Sequence, residues 1–147
     1  MQLTLGSTTR PWNQWSFEEA CKAIAQCGYT DVAPFYHNGA APLNSESTPA
    51  DIAAARKVCD DHGLEPSMLI TGTKLELPTD EAVADYCKVI DVAAAAGVEW
   101  VMNCGCGNPD QYEAYNELFR QCAPYAAEKG AKLVMKPHGG NGLTGKL

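Results

Sequence analysis

Apolar and polar positions alternate between two periods along this chain. Five short apolar, β-prone runs occur: QLTLG around Leu3, TDVAPF around Val32, PSMLIT around Leu69, EWVMNC around Val101 and KLVMK around Val134. Between them the apolar residues recur at helical spacing. Phe17, Ala20, Cys21 and Ile24 form one stripe; Ile52, Ala55, Val58, Cys59 and His62 form the next. Val83, Tyr86, Cys87, Ile90 and Ala94 form a third, and Tyr115, Leu118, Phe119 and Cys122 a fourth. Strand and helix therefore alternate throughout, an order that predicts right-handed βαβ units and a parallel sheet.

The punctuation between these runs agrees. Ser16-Phe-Glu-Glu19 reads as a capping box, and Thr48 stands before a proline at the first helical position. Thr79-Asp80-Glu81 opens the third helix, and the fourth starts near Asp110. Gly28, Gly63, Gly97 and Gly130 supply the four stops. Pro124 falls inside the fourth helix and is expected to kink or restart it there. The helix–glycine–strand unit recurs roughly every 30–36 residues, as βα units do. A closed (β/α)8 barrel needs roughly 250 residues. The 147 residues supply four units and a fifth strand, so the expected fold is α/β, a partial (β/α)8 TIM barrel in one C-terminally truncated domain spanning 1–147.

Two stretches carry a family likeness. LFRQCAPYAAEKGAKLVMKPHGG (118–140) resembles the fourth helix and fifth strand of xylose isomerase-like TIM barrels. The pattern there is Ala-Pro-x-Ala in a helix, then glycine, an apolar strand, and Glu-x-His or Glu-Pro-x at the strand's end. FEEACKAIAQCGYTDVAPF (17–35) is similar to the first helix and second strand of the same family. The resemblance implies a sugar or sugar phosphate isomerase or epimerase, acting by proton transfer between neighbouring carbons. It also implies a divalent metal, held in part by a Glu where this chain has Lys136. A lysine ammonium offers no lone pair and repels a cation. The family's other ligands come from strands six to eight, so the chain as given is expected to be inactive. The alternatives are a non-catalytic half-barrel that binds a ligand or oligomerises through its open edges, and a relative of the endonuclease IV type of repair enzyme.

Charge weighs against the last of these. The net charge of −7 is opposite to what a nucleic-acid partner asks for. No apolar run approaches the roughly 18 residues that would span a membrane. MQLTLGSTTRPWNQW lacks the basic and apolar regions of a secretory signal. The seven cysteines read mostly as small buried hydrophobes in a reducing compartment, which makes cytoplasm the expected location.

Chemistry in a parallel barrel belongs to the carboxyl ends of the strands. Those positions hold Thr8, Thr9, Arg10 and Trp12; Tyr36, His37 and Asn38; Thr71 and Thr73; Asn103, Cys104 and Cys106; and Lys136 and His138. Lys136 and His138 are the expected catalytic pair. Lys136 has two further roles open to it, pairing with a substrate phosphate or carboxylate and acid/base work, beside that of an ordinary strand-end lysine. Trp12, by stacking on a sugar, His37 and Asn103 are the expected substrate-binding residues. Two other motifs are set aside. The last eight residues read Gly140-x-x-x-x-Gly145-Lys146-Leu147, but a phosphate-binding loop needs a hydroxyl residue at the final position for Mg²⁺. Cys104-Gly-Cys106 lacks the second cysteine pair of a zinc site, and a glycine-punctuated turn accounts for it.

Overall fold

The structure, a computed structural model, describes residues 4–136. The amino-terminal strand β1 is Gly6–Thr8, followed by a 3-10 turn over Arg10–Trp12, helix α1 at Phe17–Gln26 and strand β2 at Asp31–Ala33. Helix α2 (Pro49–Asp61) leads to β3 (Glu65–Pro66) and β4 (Met68–Ile70). Helix α3 (Thr79–Ala95), β5 (Trp100–Asn103), α4 (Tyr112–Glu128) and β6 (Lys132–Met135) complete the order.

The expected alternation is present. Among the described residues every pairing between these named strands is parallel, in two three-stranded sheets of order β1-β2-β3 and β4-β5-β6. The third apolar run is split between them. Pro66 lacks an amide hydrogen, and the Ser67 amide turns back to the Glu65 carbonyl at 2.9 Å. Beyond this break the chain rejoins its neighbour, with the Ile70 amide bonded to the Pro34 carbonyl at 3.3 Å. The order along the sheet therefore follows the order along the chain, as in a partial TIM barrel.

The capping box at Ser16 forms as read: the Glu19 amide donates to Ser16 Oγ, and the Ser16 amide to Glu19 Oε2 at 2.9 Å. Thr48 and Asp51 form a second reciprocal box, with Pro49 in the first turn. All four helices stop at a glycine of positive φ, between 66° and 85°. Helix α4 corrects one expectation. It runs without a break from Tyr112 to Glu128 with Pro124 inside it, and tertiary packing holds it there. Leu118, Cys122 and Ala126 on either side of the proline are all buried in the core.

Helices cover one face of the strands. Cys21, Ile24, Val32, Cys59 and Leu64 join α1 and α2 to β2. Leu69, Tyr86, Ile90, Val101, Leu118 and Cys122 belong to the larger cluster that joins α3 and α4 to β4 and β5. The alternation of side chains decides what is left on the opposite face. Leu69 and Val101 point to the helices, so Met68, Ile70, Trp100 and Met102 point away, and all four are only partly buried.

Candidate active site at the strand tips

A cleft of about 720 Å³ lies at the carboxyl ends of the strands. Thr8 from β1, Phe35 and Tyr36 after β2, Ile70 at the end of β4 with Thr71 to Lys74 after it, Met102 from β5 with Cys104 just beyond, and Lys136 after β6 all line it. Arg10 contributes from the turn after β1; Ala41, Leu43, Asn44 and Ser45 close one side, and Asp85 and Val89 come from α3. Parallel strands put all their carboxyl ends on one side, and the loops that follow them meet there.

Of the five residues singled out, Lys136 lines the cleft, with an exposed side chain. His138 lies outside the described residues. Trp12, His37 and Asn103 are not part of its described lining.

Trp12 packs against the cluster of Cys21, Ile24 and Val32. The aromatic surface of the cleft comes instead from Phe35 and Tyr36, whose ring centroids are 5.6 Å apart. Tyr36 is 48% exposed, a large apolar ring left open to solvent at the mouth. Pro34 follows β2 directly, so the next two side chains fall on the rim, the signal that marks them in the sequence.

His37 is buried, with both ring nitrogens engaged. Nδ1 lies 3.2 Å from the Trp15 carbonyl, which can only accept, so Nδ1 carries the hydrogen. In the neutral ring Nε2 then accepts from the Thr9 hydroxyl at 2.9 Å. Thr9 is fully buried, and its Oγ1 also receives the Phe35 amide at 2.9 Å. One threonine and one histidine thus tie the loop after β1 to the loop after β2 and hold Phe35 in the cleft wall. The edge of Phe17 closes on the imidazole at 5.7 Å.

Asn103 does the same for the loop after β5. Its side chain shares the face of Val101, toward the helices, and is 2% exposed. Nδ2 donates to the Thr71 carbonyl at 2.9 Å, while Oδ1 accepts the Gly105 amide at 2.8 Å and the Tyr115 hydroxyl at 3.0 Å. Burial pushes the Tyr115 phenol up to about 12, so it remains a donor through the neutral range.

Electrostatics across the cleft are uneven. Asp85 is the one carboxylate in its described lining, and Lys74 Nζ lies 2.7 Å from Asp85 Oδ1. The Ser45 hydroxyl donates to the same oxygen at 2.7 Å. The hydrogen bond to Asp85 raises Lys74 above the usual lysine value, against a smaller opposing effect of burial. Arg10 and Lys136 have no carboxylate within 4.0 Å among the described residues, and the Arg10 guanidinium lies 5.9 Å over the Phe35 ring. Sequence reasoning missed Ser45, Lys74 and Asp85, which come from a loop and a helix face far apart in the chain.

The same lining tests the metal that the family resemblance implies. Its single carboxylate is already held by a lysine and a serine, and Lys136 adds positive charge at the strand tip. No group of three or more His, Cys, Asp or Glu converges to hold an ion among the described residues. The described donor set does not fit a divalent cation.

The profile of the xylose isomerase-like TIM barrel family matches residues 21–146. The chain belongs to this family. Members of known structure share its fold at low identity. A xylose isomerase domain protein from Salmonella typhimurium LT2 superposes with a TM-score of 0.66 at 15% identity, over 91% of this chain and 49% of that one. D-Psicose 3-epimerase, crystallised in the presence of D-fructose, gives 0.64 at 15% identity, over 89% and 51%. A sugar phosphate isomerase/epimerase from Parabacteroides distasonis gives 0.64 at 16%, over 90% and 50%. The chain spans about half the length of these solved relatives. No curated protein matches it in sequence. Among the described residues no helix is long and apolar enough to cross a membrane.

Proposed function

We propose that this xylose isomerase-like chain carries the sugar-binding part of an isomerase or epimerase site, for a sugar or sugar phosphate. The observation that carries this reading is the convergence of the strand tips on one cleft that combines the Phe35 and Tyr36 rings with the hydroxyls of Thr8, Thr71 and Thr73 and the Lys136 ammonium. A sugar ring offers an apolar face to an aromatic ring and hydroxyls to polar groups around it.

Aldose–ketose interconversion and epimerisation beside a carbonyl both pass through an enediolate. Each needs a base to remove the carbon-bound proton and a positive group to stabilise the oxyanion. In this reading Lys136 faces the developing oxyanion and returns a proton to it. The described lining offers no free base, because Asp85 is engaged by Lys74 and Ser45. The proton acceptor therefore comes from outside the described residues, and His138, two positions beyond Lys136, is the candidate. His37 and Asn103 support the site indirectly, by fixing the loops that carry Phe35, Thr71 and Cys104.

The 147 residues by themselves are proposed to bind sugar without turning it over. The test is to incubate the full chain with D-fructose and D-fructose 6-phosphate, with Mn²⁺, Mg²⁺ or Co²⁺ added. Saturation-transfer NMR reports binding, and the carbohydrate spectrum reports products. Binding without products is the expected result. Products would contradict the inactivity, and no binding of either sugar would contradict the sugar site.

A further inference from the structure

We propose that Cys87 and Cys122 form an oxidation site, a dithiol that hydrogen peroxide converts to a disulfide bridging α3 and α4. Neither residue belongs to the described lining of the cleft, so the site stands apart from the sugar reading.

Cysteines meet in pairs where neighbouring helices pack. Cys21 of α1 and Cys59 of α2 share the smaller core cluster, and their thiols are in hydrogen-bond contact. Cys87 of α3 and Cys122 of α4 meet in the same way in the larger cluster. A separate contact fixes the second pair. Cys122 Sγ lies 3.9 Å from the Val83 carbonyl, which in a helix faces the amide of Cys87 one turn on. Thiols in contact need only a small movement to reach the sulfur–sulfur bonding distance of about 2 Å.

Access separates the two pairs. Cys21 and Cys59 are 0% and 1% exposed, so an oxidant reaches neither while the chain is folded. Cys122 is fully buried too, but Cys87 is only partly buried, which gives a small oxidant a way to the pair. Burial pushes the Cys122 thiol up to about 12, and its neighbour Cys87 adds to the effect. Cys122 therefore stays protonated and leaves the first step to Cys87. The Cys87 thiolate attacks peroxide: a sulfur–oxygen bond forms, the oxygen–oxygen bond breaks, and hydroxide leaves. Cys122 gives its proton to that hydroxide, and its sulfur attacks the Cys87 sulfenic acid. The sulfur–sulfur bond forms, and the hydroxyl departs as water with a proton from solvent. Two thiols are oxidised and one peroxide is reduced to two waters. Contact between the sulfurs offsets the scarcity of thiolate at Cys122.

The experiment exposes the full, reduced chain to dilute hydrogen peroxide, stops the reaction with catalase and alkylates the remaining thiols in urea. Tryptic peptides are then mapped by mass spectrometry without reduction. Cleavage after Lys74, Lys88, Arg120 and Lys129 puts Cys87 and Cys122 each alone on its peptide. The expected result is peptide 75–88 joined to peptide 121–129, two hydrogens lighter than the separate thiols, with Cys21 and Cys59 alkylated. Dithiothreitol should reverse the bridge, and the bridged chain should unfold at higher urea, because the closed loop restrains its unfolded state. In Cys122→Ser, Cys87 should stop at the sulfenic acid, which dimedone traps. Peptide mapping of the parent decides the matter even where that variant does not fold. Both peptides left alkylated, Cys87 joined to another cysteine, or Cys21 bridged to Cys59 equally fast would overturn the site. So would a bridged chain that unfolds at lower urea, since the bridge would then not fit the native packing.

Discussion

The Tyr115 hydroxyl donates to Asn103 Oδ1 across 3.0 Å, with both residues enclosed between β5 and α4. Asn103 serves three partners from three segments: Thr71 after β4, Gly105 after β5 and Tyr115 in α4. Tyr115→Phe removes one donor and leaves Oδ1 bonded to Gly105, at an expected cost of about 1 kcal/mol. Asn103→Leu strands the Gly105 amide, the Thr71 carbonyl and the Tyr115 hydroxyl together and should cost about 3 kcal/mol or more. Urea midpoints measure both. The double variant should cost clearly less than the sum of the two, because the second change removes a group already orphaned by the first.

Thr9 makes a comparable prediction at the other side of the cleft. Its hydroxyl accepts the Phe35 amide and donates to His37 Nε2. Thr9→Val keeps the shape, loses both bonds and should destabilise by about 2 kcal/mol, whereas Thr9→Ser should lose well under half of that. Hydrogen exchange at the Phe35 amide supplies a local readout. It should accelerate in the valine variant by more than the global loss of stability explains.

Acid stability should depend on Asp91. This carboxylate joins α3 to α4, accepting the Tyr125 hydroxyl at 2.7 Å and pairing with Lys129 at 2.8 Å. The hydrogen bond from Lys129, then that from Tyr125, holds its pKa below the ordinary 3.8. A depressed carboxylate contributes stability above its unfolded value and loses it as the pH falls through the folded one. The contribution is therefore complete above about pH 4 and disappears below it. Asp91 is partly exposed, so solvent screens the effect. Asp91→Asn should melt at a slightly lower temperature than the parent at pH 7, and the gap should close as the pH drops below 4.

Pro124 should be a site of easy stabilisation. It is exposed within α4, and its missing amide hydrogen leaves the Arg120 carbonyl without a helical partner. Pro124→Ala is expected to raise stability by about 1–3 kcal/mol, read as an upward shift in the urea midpoint.

The α/β alternation, the glycine stops, the capping box at Ser16 and the parallel order are all visible in the sequence, because each rests on local periodicity or backbone chemistry. Rim positions are visible too, since a residue that follows a strand must stand at the strand's tip. The direction in which a rim side chain points is less visible. Asn103 turns to the helices because it shares the parity of Val101, but both faces of a parallel strand are apolar, so neighbouring residues do not announce which face is which. His37 looks like a free loop imidazole until Thr9 and Trp15 are brought beside it. Lys74 and Asp85 meet only through the packing of α3 against the loop after β4, and no local pattern announces that contact.

The central claim is that a sugar sits where the strand tips converge. Amide shift mapping by NMR on the full chain, titrated with D-fructose 6-phosphate, tests it most directly. The account predicts that the shifts concentrate at Thr8, Arg10, Tyr36, Thr71, Thr73, Cys104 and Lys136 and leave the outer faces of α1 and α2 unchanged. Shifts centred on those helices, with the strand tips silent, would contradict it.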